Sequence, residues 1–360
     1  MKVIHFMNEA PLAFPSKLAM EIDRKDNIEV LIVAFYGDID ETVSKNIQTV
    51  SLDSSRRLDL ESYRNLRSLI IDQDVDIVHT HPNATGSIAR LVAVTTDAKV
   101  VDTRHNDHTH FALLRRLPDL PASAVTDCYI SNSKHTLNSF SKLKNSIIRL
   151  TGGSHDVVYN GIDTAIESRI PDDPPISVDS PSVVSVAHYT KQKNHETLVD
   201  SVELVRESIP DAKLVLVGDG PRYEAIEEYI DNKGLSDAVI QTGFIQDRYD
   251  MLAVVKEADV FAISSWYEGF CVAAVEAMFL QTPVAVSDID VLHEVVGPTG
   301  LFSDPSSPES FAENIVQLLE DKSTRDSLGE AASKRVREKF SLEQTAEGYI
   351  RAYRELIDAN

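Results

Sequence analysis

Cysteine and positive charge are both in short supply in this chain, and long apolar runs are missing altogether. Cys128 and Cys271 are the two cysteines in 360 residues. They stand far apart and without a metal-binding spacing, which excludes a disulfide framework and suits a reducing compartment. No apolar run approaches the ~20 residues that cross a bilayer. The one apolar stretch near the N-terminus is broken by His5, Asn8 and Glu9, unlike a secretory signal. Gly (14) and Pro (15) are too sparse for a collagen-like or low-complexity chain. Thirty-five Lys and Arg face 57 Asp and Glu, a formal net charge of −22, so no nucleic acid is expected as a partner, because binding along its backbone needs cations to displace counterions. What remains is globular composition, 42% apolar and 26% charged, over a length that favours two domains. The expectation is a soluble, cytoplasmic protein.

The cation deficit is uneven. Residues 1–170 hold 19 basic and 22 acidic side chains, whereas residues 171–360 hold 16 and 35. Within the first half, Arg104, Arg115, Arg116, Lys134, Lys142, Lys144 and Arg149 outnumber Asp107, Asp119 and Asp127, with Phe111, Leu113, Leu114 and Leu117 interleaved. Exposed, such a patch suits peripheral contact with an anionic membrane face or an anionic acceptor. A solvated helix with core leucines is the plainer reading.

Short β-branched runs alternate with amphipathic stretches throughout. They fall at Val3–Phe6, Val30–Phe35, Asp76–His79, Lys99–Asp102, Cys128–Ser131 and Val157–Tyr159, then at Val183–Ala187, Lys213–Val217, Val239–Thr242, Val260–Ile263 and Pro283–Ser287. Runs this short that do not alternate are strands buried on both faces of a parallel sheet, joined by helical crossovers. Four prolines between 171 and 181 read as an interdomain linker. The expected architecture is therefore two doubly wound, Rossmann-like α/β domains facing each other across a cleft, residues 1–172 and 173–341. A last amphipathic helix, 342–360, would dock back on the first domain.

The most specific segment is Ser264-Ser-Trp-Tyr-Glu-Gly-Phe-Cys-Val-Ala-Ala-Val-Glu-Ala-Met278, directly after the Val260–Ile263 strand. Glu268 falls in the strand-to-helix turn, and Gly269 permits close backbone approach. Glu276 follows a little over two helical turns later, on roughly the same side. A helix N-terminus attracts phosphate and a carboxylate grips vicinal hydroxyls, so the pair suits a nucleotide sugar. On spacing alone, two solvated glutamates beside an ordinary helix read equally well.

The segment resembles the Glu-x7-Glu motif of the family 4 retaining glycosyltransferases of GT-B fold. Leu214-Val-Leu-Val-Gly-Asp-Gly-Pro221, Thr242-Gly-Phe-Ile245, Met251–Ile263, Pro283-Val-Ala-Val-Ser-Asp288 and His293-Glu-Val-Val296 follow the family's order. In the first half Asp76-Ile-Val-His-Thr-His81, Tyr129-Ile-Ser-Asn-Ser133 and Val158-Tyr-Asn-Gly-Ile-Asp163 are also similar. The resemblance implies transfer of a sugar from a nucleotide-diphosphate sugar to a glycan or lipid-linked acceptor, with retention and no obligatory metal or other cofactor. The second domain would bind the donor and the first the acceptor, at the cytoplasmic face of the membrane where the acceptor is lipid-linked.

It also implies residue roles. Glu276 would accept from the ribose diol. Glu268 would contact the transferred sugar, with Gly269, Phe270, Cys271 and Val272 bringing the loop and helix start to the donor. Lys193, in Ala187-His-Tyr-Thr-Lys-Gln-Lys-Asn194, would neutralise the leaving diphosphate, as the chemistry demands. Gly218 belongs to the donor-side turn. His105, in Thr103-Arg-His-Asn106, would orient the donor sugar or stabilise its oxocarbenium-like state. His79 and His81 read as strand-end packing or acceptor contacts.

Four departures from the pattern stand out. The loop Asn8–Ser16 after the first strand has no glycine, His188 replaces an arginine that often partners the lysine, Gln281 replaces a glycine, and Asp290 and Val291 replace paired glycines. Asp288-Ile-Asp290 and Asp74-Val-Asp76 spell Asp-x-Asp, a pattern common by chance in so acidic a chain. Gly218-Asp-Gly220 lacks the third glycine of a dinucleotide fingerprint. A sugar-nucleotide epimerase or phosphorylase on the same fold, or a non-catalytic partner subunit of a transferase, stays open as an alternative.

Overall fold

The computed structural model describes residues 1–25, 27–81, 84–105 and 119–358. The chain forms two compact units, Met1–Asn160 with Leu342–Asn360, and Gly161–Ser341. The divide falls at 160/161 instead of 172/173, so the proline-rich stretch 171–181 belongs to the second unit. Ile162 bridges in parallel to Ser341 and donates its N–H to the Phe340 carbonyl at 2.9 Å. Both ends of the second unit are thereby fixed beside each other.

The first unit is a seven-stranded sheet of β1 (Lys2–Met7), β2 (Glu29–Ala34), β3 (Gln48–Ser51), β4 (Ile77–Thr80), β5 (Lys99–Arg104), β6 (Cys128–Ser131) and β7 (Ser154–Val157), ordered β3-β2-β1-β4-β5-β6-β7. Every pairing is parallel. Successive β1 side chains enter different cores. Val3 and Met7 pack with Ile32, Ile130, Tyr349 and Tyr353. Ile4 and Phe6 pack with Val33, Phe35, Leu66 and Val78 on the other side. This two-sided burial is why the strands do not alternate with polar residues.

The helix Leu342–Asp358 supplies one of those covers. Ala346, Tyr349, Ala352 and Tyr353 are buried along it, and the Thr345 hydroxyl donates to the Tyr159 carbonyl at 2.9 Å. Gly348 lets it pass close to the sheet end, since a Cβ there would lie 2.7 Å from Val158 Cγ1.

The second unit has six parallel strands, β8 (Ser182–Val186), β9 (Lys213–Val217), β10 (Val239–Gly243), β11 (Val260–Ile263), β12 (Val284–Ser287) and β13 (Leu301–Ser303), ordered β10-β9-β8-β11-β12-β13. The order reverses between β8 and β11. The carboxyl ends of strands at such a reversal are the usual ligand position in a doubly wound sheet.

Candidate functional site

In the second unit three strand ends converge. Gly218, just past β9, has φ of 137°, and a Cβ there would overlap the Ala187 carbonyl just past β8. A side chain would force these two loops apart. Beyond Ala187, His188 lies against Gly220, where a Cβ would come 2.8 Å from its Cε1.

The β8 loop closes in a short turn at Lys191–Lys193 and is fastened to the β11 loop by a set of hydrogen bonds. Gln192 Nε2 donates to the Tyr267 carbonyl at 2.7 Å, and the Trp266 N–H to the Gln192 carbonyl at 2.9 Å. Asn194, left-handed at φ 53°, donates to the Ser264 carbonyl at 3.1 Å, and Ser264 Oγ donates to the Asn194 carbonyl at 2.7 Å.

This fastening sets Lys193 Nζ 2.5 Å from Glu268 Oε1, and Ser265 Oγ donates to the same oxygen at 2.7 Å. Glu268 is 5% exposed. Burial works to lower the Lys193 pKa, but the Glu268 carboxylate outweighs it and holds the ammonium above its ordinary range. The cation stays charged at any physiological pH.

Beyond Glu268 the chain turns left-handed at Cys271 (φ 71°) and enters the helix Val272–Phe279, whose N-terminus has no side-chain cap. Phe270 is buried edge-on to Phe340, ring centroids 5.4 Å apart, so its side chain packs inward. Burial, reinforced by Glu268, pushes the Cys271 thiol up to about 12, which leaves it protonated and a poor nucleophile.

Glu276 is buried within this helix and accepts from Arg248 Nη2. Arg248 opens the helix Arg248–Glu257 and is a site residue that sequence reasoning missed. It precedes the motif by sixteen residues or more, and only the fold brings it to Glu276. Glu268 and Glu276 each meet their own cation.

Of the Asp-x-Asp residues, Asp76 Oδ2 accepts from the Lys2 N–H at 2.6 Å. Asp288 Oδ1 lies 2.5 Å from His293 Nε2, and His293 stacks on Phe302. Asp74 sits in a left-handed turn (φ 51°).

In the first unit, His5 and His79 are register partners on β1 and β4, and His81 and His105 follow β4 and β5. His79 Nδ1 lies 2.7 Å from the Tyr353 hydroxyl and its Nε2 2.7 Å from Thr103 Oγ1. Thr103 Oγ1 in turn meets the Tyr349 hydroxyl at 3.0 Å. His81 Nδ1 lies 3.1 Å from His105 Nε2. Burial lowers all four rings, His5 to about 3 and His105 to about 4, so they are neutral at pH 7. His5, His79 and His81 bring donor atoms within 4.8 Å of one another. Yet both nitrogens of His79, Nε2 of His5 (3.2 Å from Tyr353) and Nδ1 of His81 are already engaged, a hydrogen-bonded cluster instead of a ready ligand set.

The basic patch is reduced. Arg104 and Lys144 are buried, and both bond Asp119, Arg104 at 2.7 and 2.8 Å and Lys144 at 2.6 Å. Burial, aided by Arg104, lowers the Lys144 pKa to about 7. Lys134, Lys142 and Arg149 are exposed, as are Leu143 and Leu150. Asp107, Phe111, Leu113, Leu114, Arg115, Arg116 and Leu117 lie outside the described residues.

Two family models account for nearly the whole chain, Glycosyltransferase Family 4 over residues 18–166 and Glycosyl transferases group 1 over residues 167–335. The chain belongs to the group 1 glycosyltransferases. It is 31% identical over 209 residues to an uncharacterized glycosyltransferase of Methanocaldococcus jannaschii, an alignment spanning 55% of this chain and 53% of that protein. It is 25% identical over 297 residues to N-acetyl-alpha-D-glucosaminyl L-malate synthase of Bacillus anthracis, 79% of this chain and 76% of that one. The HepE protein of Anabaena, solved with UDP and glucose, superposes with a TM-score of 0.77 at 16% identity over 99% of this chain and 100% of its own. The fold of this glycosyltransferase is GT-B. No helix among its described residues is long and apolar enough to cross a membrane.

Proposed function

We propose that this glycosyltransferase moves a sugar from a nucleoside-diphosphate sugar to a glycan or lipid-linked acceptor, retaining the anomeric configuration without an obligatory metal. The observation that carries the reading is the Lys193–Glu268 pair, held by two interlocked loops where the strand order reverses, beside an uncapped helix N-terminus. It offers fixed positive charge and amide dipoles for a diphosphate, and a buried carboxylate for sugar hydroxyls. Glu276 takes the ribose diol, with Arg248 holding its carboxylate. His105 acts on the donor sugar as a neutral imidazole, and His188 and Gly218 border the diphosphate.

The bond from the sugar C1 to the β-phosphate oxygen breaks, and the acceptor oxygen bonds C1 on the same face. The acceptor proton passes to the departing phosphate oxygen, and nucleoside diphosphate leaves. Lys193 offsets the charge that grows on it. An α-glucosaminyl product, as in the name of the Bacillus anthracis relative, follows from an α-linked nucleotide sugar by this route. The exposed Lys134, Lys142, Arg149, Leu143 and Leu150 favour an acceptor presented at an anionic lipid surface.

The test is turnover of UDP-, GDP- and ADP-sugars by the purified protein, with product configuration read by NMR. One of these donors is expected to give an acceptor-dependent, retained product, and Glu276→Ala to raise the donor KM at least about tenfold. Inverted product, or unchanged donor kinetics in Glu276→Ala, overturns the reading. Acceptor-independent interconversion of sugars would mark an epimerase, and donor binding without turnover a partner subunit.

A further inference from the structure

We infer that His81 is a positioning residue that fixes the proton of His105 on Nδ1. The ring planes are 14° from parallel with centroids 5.3 Å apart, and at that separation the 3.1 Å approach of His81 Nδ1 to His105 Nε2 requires the rings to meet edge to edge, an in-plane hydrogen bond between two imidazoles. Each is neutral and carries one proton, so exactly one of the facing nitrogens holds it.

The far side of His81 decides which. His81 is 5% exposed, and its Nε2 is buried without a partner among the described residues. A buried N–H left unbonded is rarer and costlier than an unused lone pair, so Nε2 is the bare nitrogen and the proton sits on Nδ1. His81 therefore donates, His105 Nε2 accepts, and His105 keeps its own proton on Nδ1. Neighbouring groups frame the pair. Asn132 Nδ2 donates to the His105 carbonyl at 2.8 Å, the Phe14 ring stands edge-on to His105 with centroids 5.9 Å apart, and His79 packs against His81 at 4.7 Å.

The consequence rests on the proposed role of His105. With Nε2 committed, Nδ1 is the nitrogen left to meet a donor sugar, and it arrives as a hydrogen-bond donor to a hydroxyl or ring oxygen, not as a base.

The test labels the full-length protein with 15N-histidine and reads the long-range couplings of His105, assigned by its loss in His105→Gln. In the unsubstituted protein the proton is expected on Nδ1, and a proton on Nε2 overturns the inference. His81→Asn places an amide donor where Nδ1 stood, and is expected to keep both the tautomer and kcat within about threefold. His81→Leu removes the donor, and is expected to mix the tautomers and lower kcat at least about tenfold with the donor KM little changed. If His81→Leu leaves the Nδ1 tautomer intact, the inference falls. If the tautomers behave as stated while His105→Ala turns over normally, the hydrogen bond stands and the catalytic reading of His105 is what fails.

Discussion

At the scale of single residues, the Lys193–Glu268 pair separates stability from chemistry. Removing Lys193 alone leaves Glu268 as an uncompensated buried charge, a loss expected to be about 3–5 kcal/mol. Lys193→Ala should therefore lower both the melting temperature and kcat, and its kinetics alone would not identify a role. The double variant Lys193→Met/Glu268→Gln neutralises both partners, and Ser265 can still bond the amide. It is expected to recover most of the lost stability in denaturant unfolding while kcat stays about 10²-fold or more below the unsubstituted enzyme. Recovery of activity alongside stability would make the pair merely structural. Glu268, Glu276 and Lys193 were singled out because each lies in a short motif that resembles the family's, although spacing alone read the two glutamates equally well as solvated side chains. Arg248 was not, since a partner from a separate helix leaves no local spacing to read. The ring contacts of His5, His79 and His81 were equally invisible, because strand register, and not sequence distance, brings those side chains onto one face.

At the scale of elements, the central strands were readable, and two of the four sheet edges were not. Lys213–Val217 and Val260–Ile263 stand where their apolar runs put them. The sheet edges β3 (Gln-Thr-Val-Ser) and β13 (Leu-Phe-Ser) escaped notice, because an edge strand pairs on one side only and needs neither length nor unbroken apolarity. β7, expected at Val157–Tyr159, instead runs Ser154–Val157. Its polar Ser-His-Asp start is tolerated at the end of the sheet. The final helix is a stronger case of an element whose worth depends on where it lands. Ending the chain at Ser341 would uncover Val3, Ile130 and Val158 and strip Tyr353 from His5 and His79. The first unit is then expected to lose its protection against limited proteolysis, while Gly161–Ser341 remains a resistant fragment. Equal loss in both units would show that the helix does not act through the first core.

At the scale of the whole molecule, the two units are built to respond differently to acid. His5, His79 and His81 are buried in the first unit and His105 is half-buried, each with its pKa held below the ordinary 6.5 by loss of hydration. The unfolded chain binds protons at these rings as pH drops below 6.5, and the folded unit does not until about 4 for His105 and about 3 for His5. Stability is therefore fully present above 6.5 and lost as pH falls through that window. Each ring contributes a slope of roughly 1.4 kcal/mol per pH unit there, so four acting together remove several kcal/mol between pH 6 and 5. The second unit holds one comparable ring, His195, lowered to about 4 by burial and by Lys193. Amide hydrogen exchange at falling pH, corrected for intrinsic rates, is expected to show protection failing first in β1, β4 and β5, and later in β8, β9 and β11. Replacing His5 by Phe should flatten the first unit's pH dependence even if it costs some stability at pH 7, because the substituted ring has no proton to gain on unfolding. Simultaneous loss in both sheets, or an unchanged slope in His5→Phe, would show that the histidine cluster does not govern the acid response.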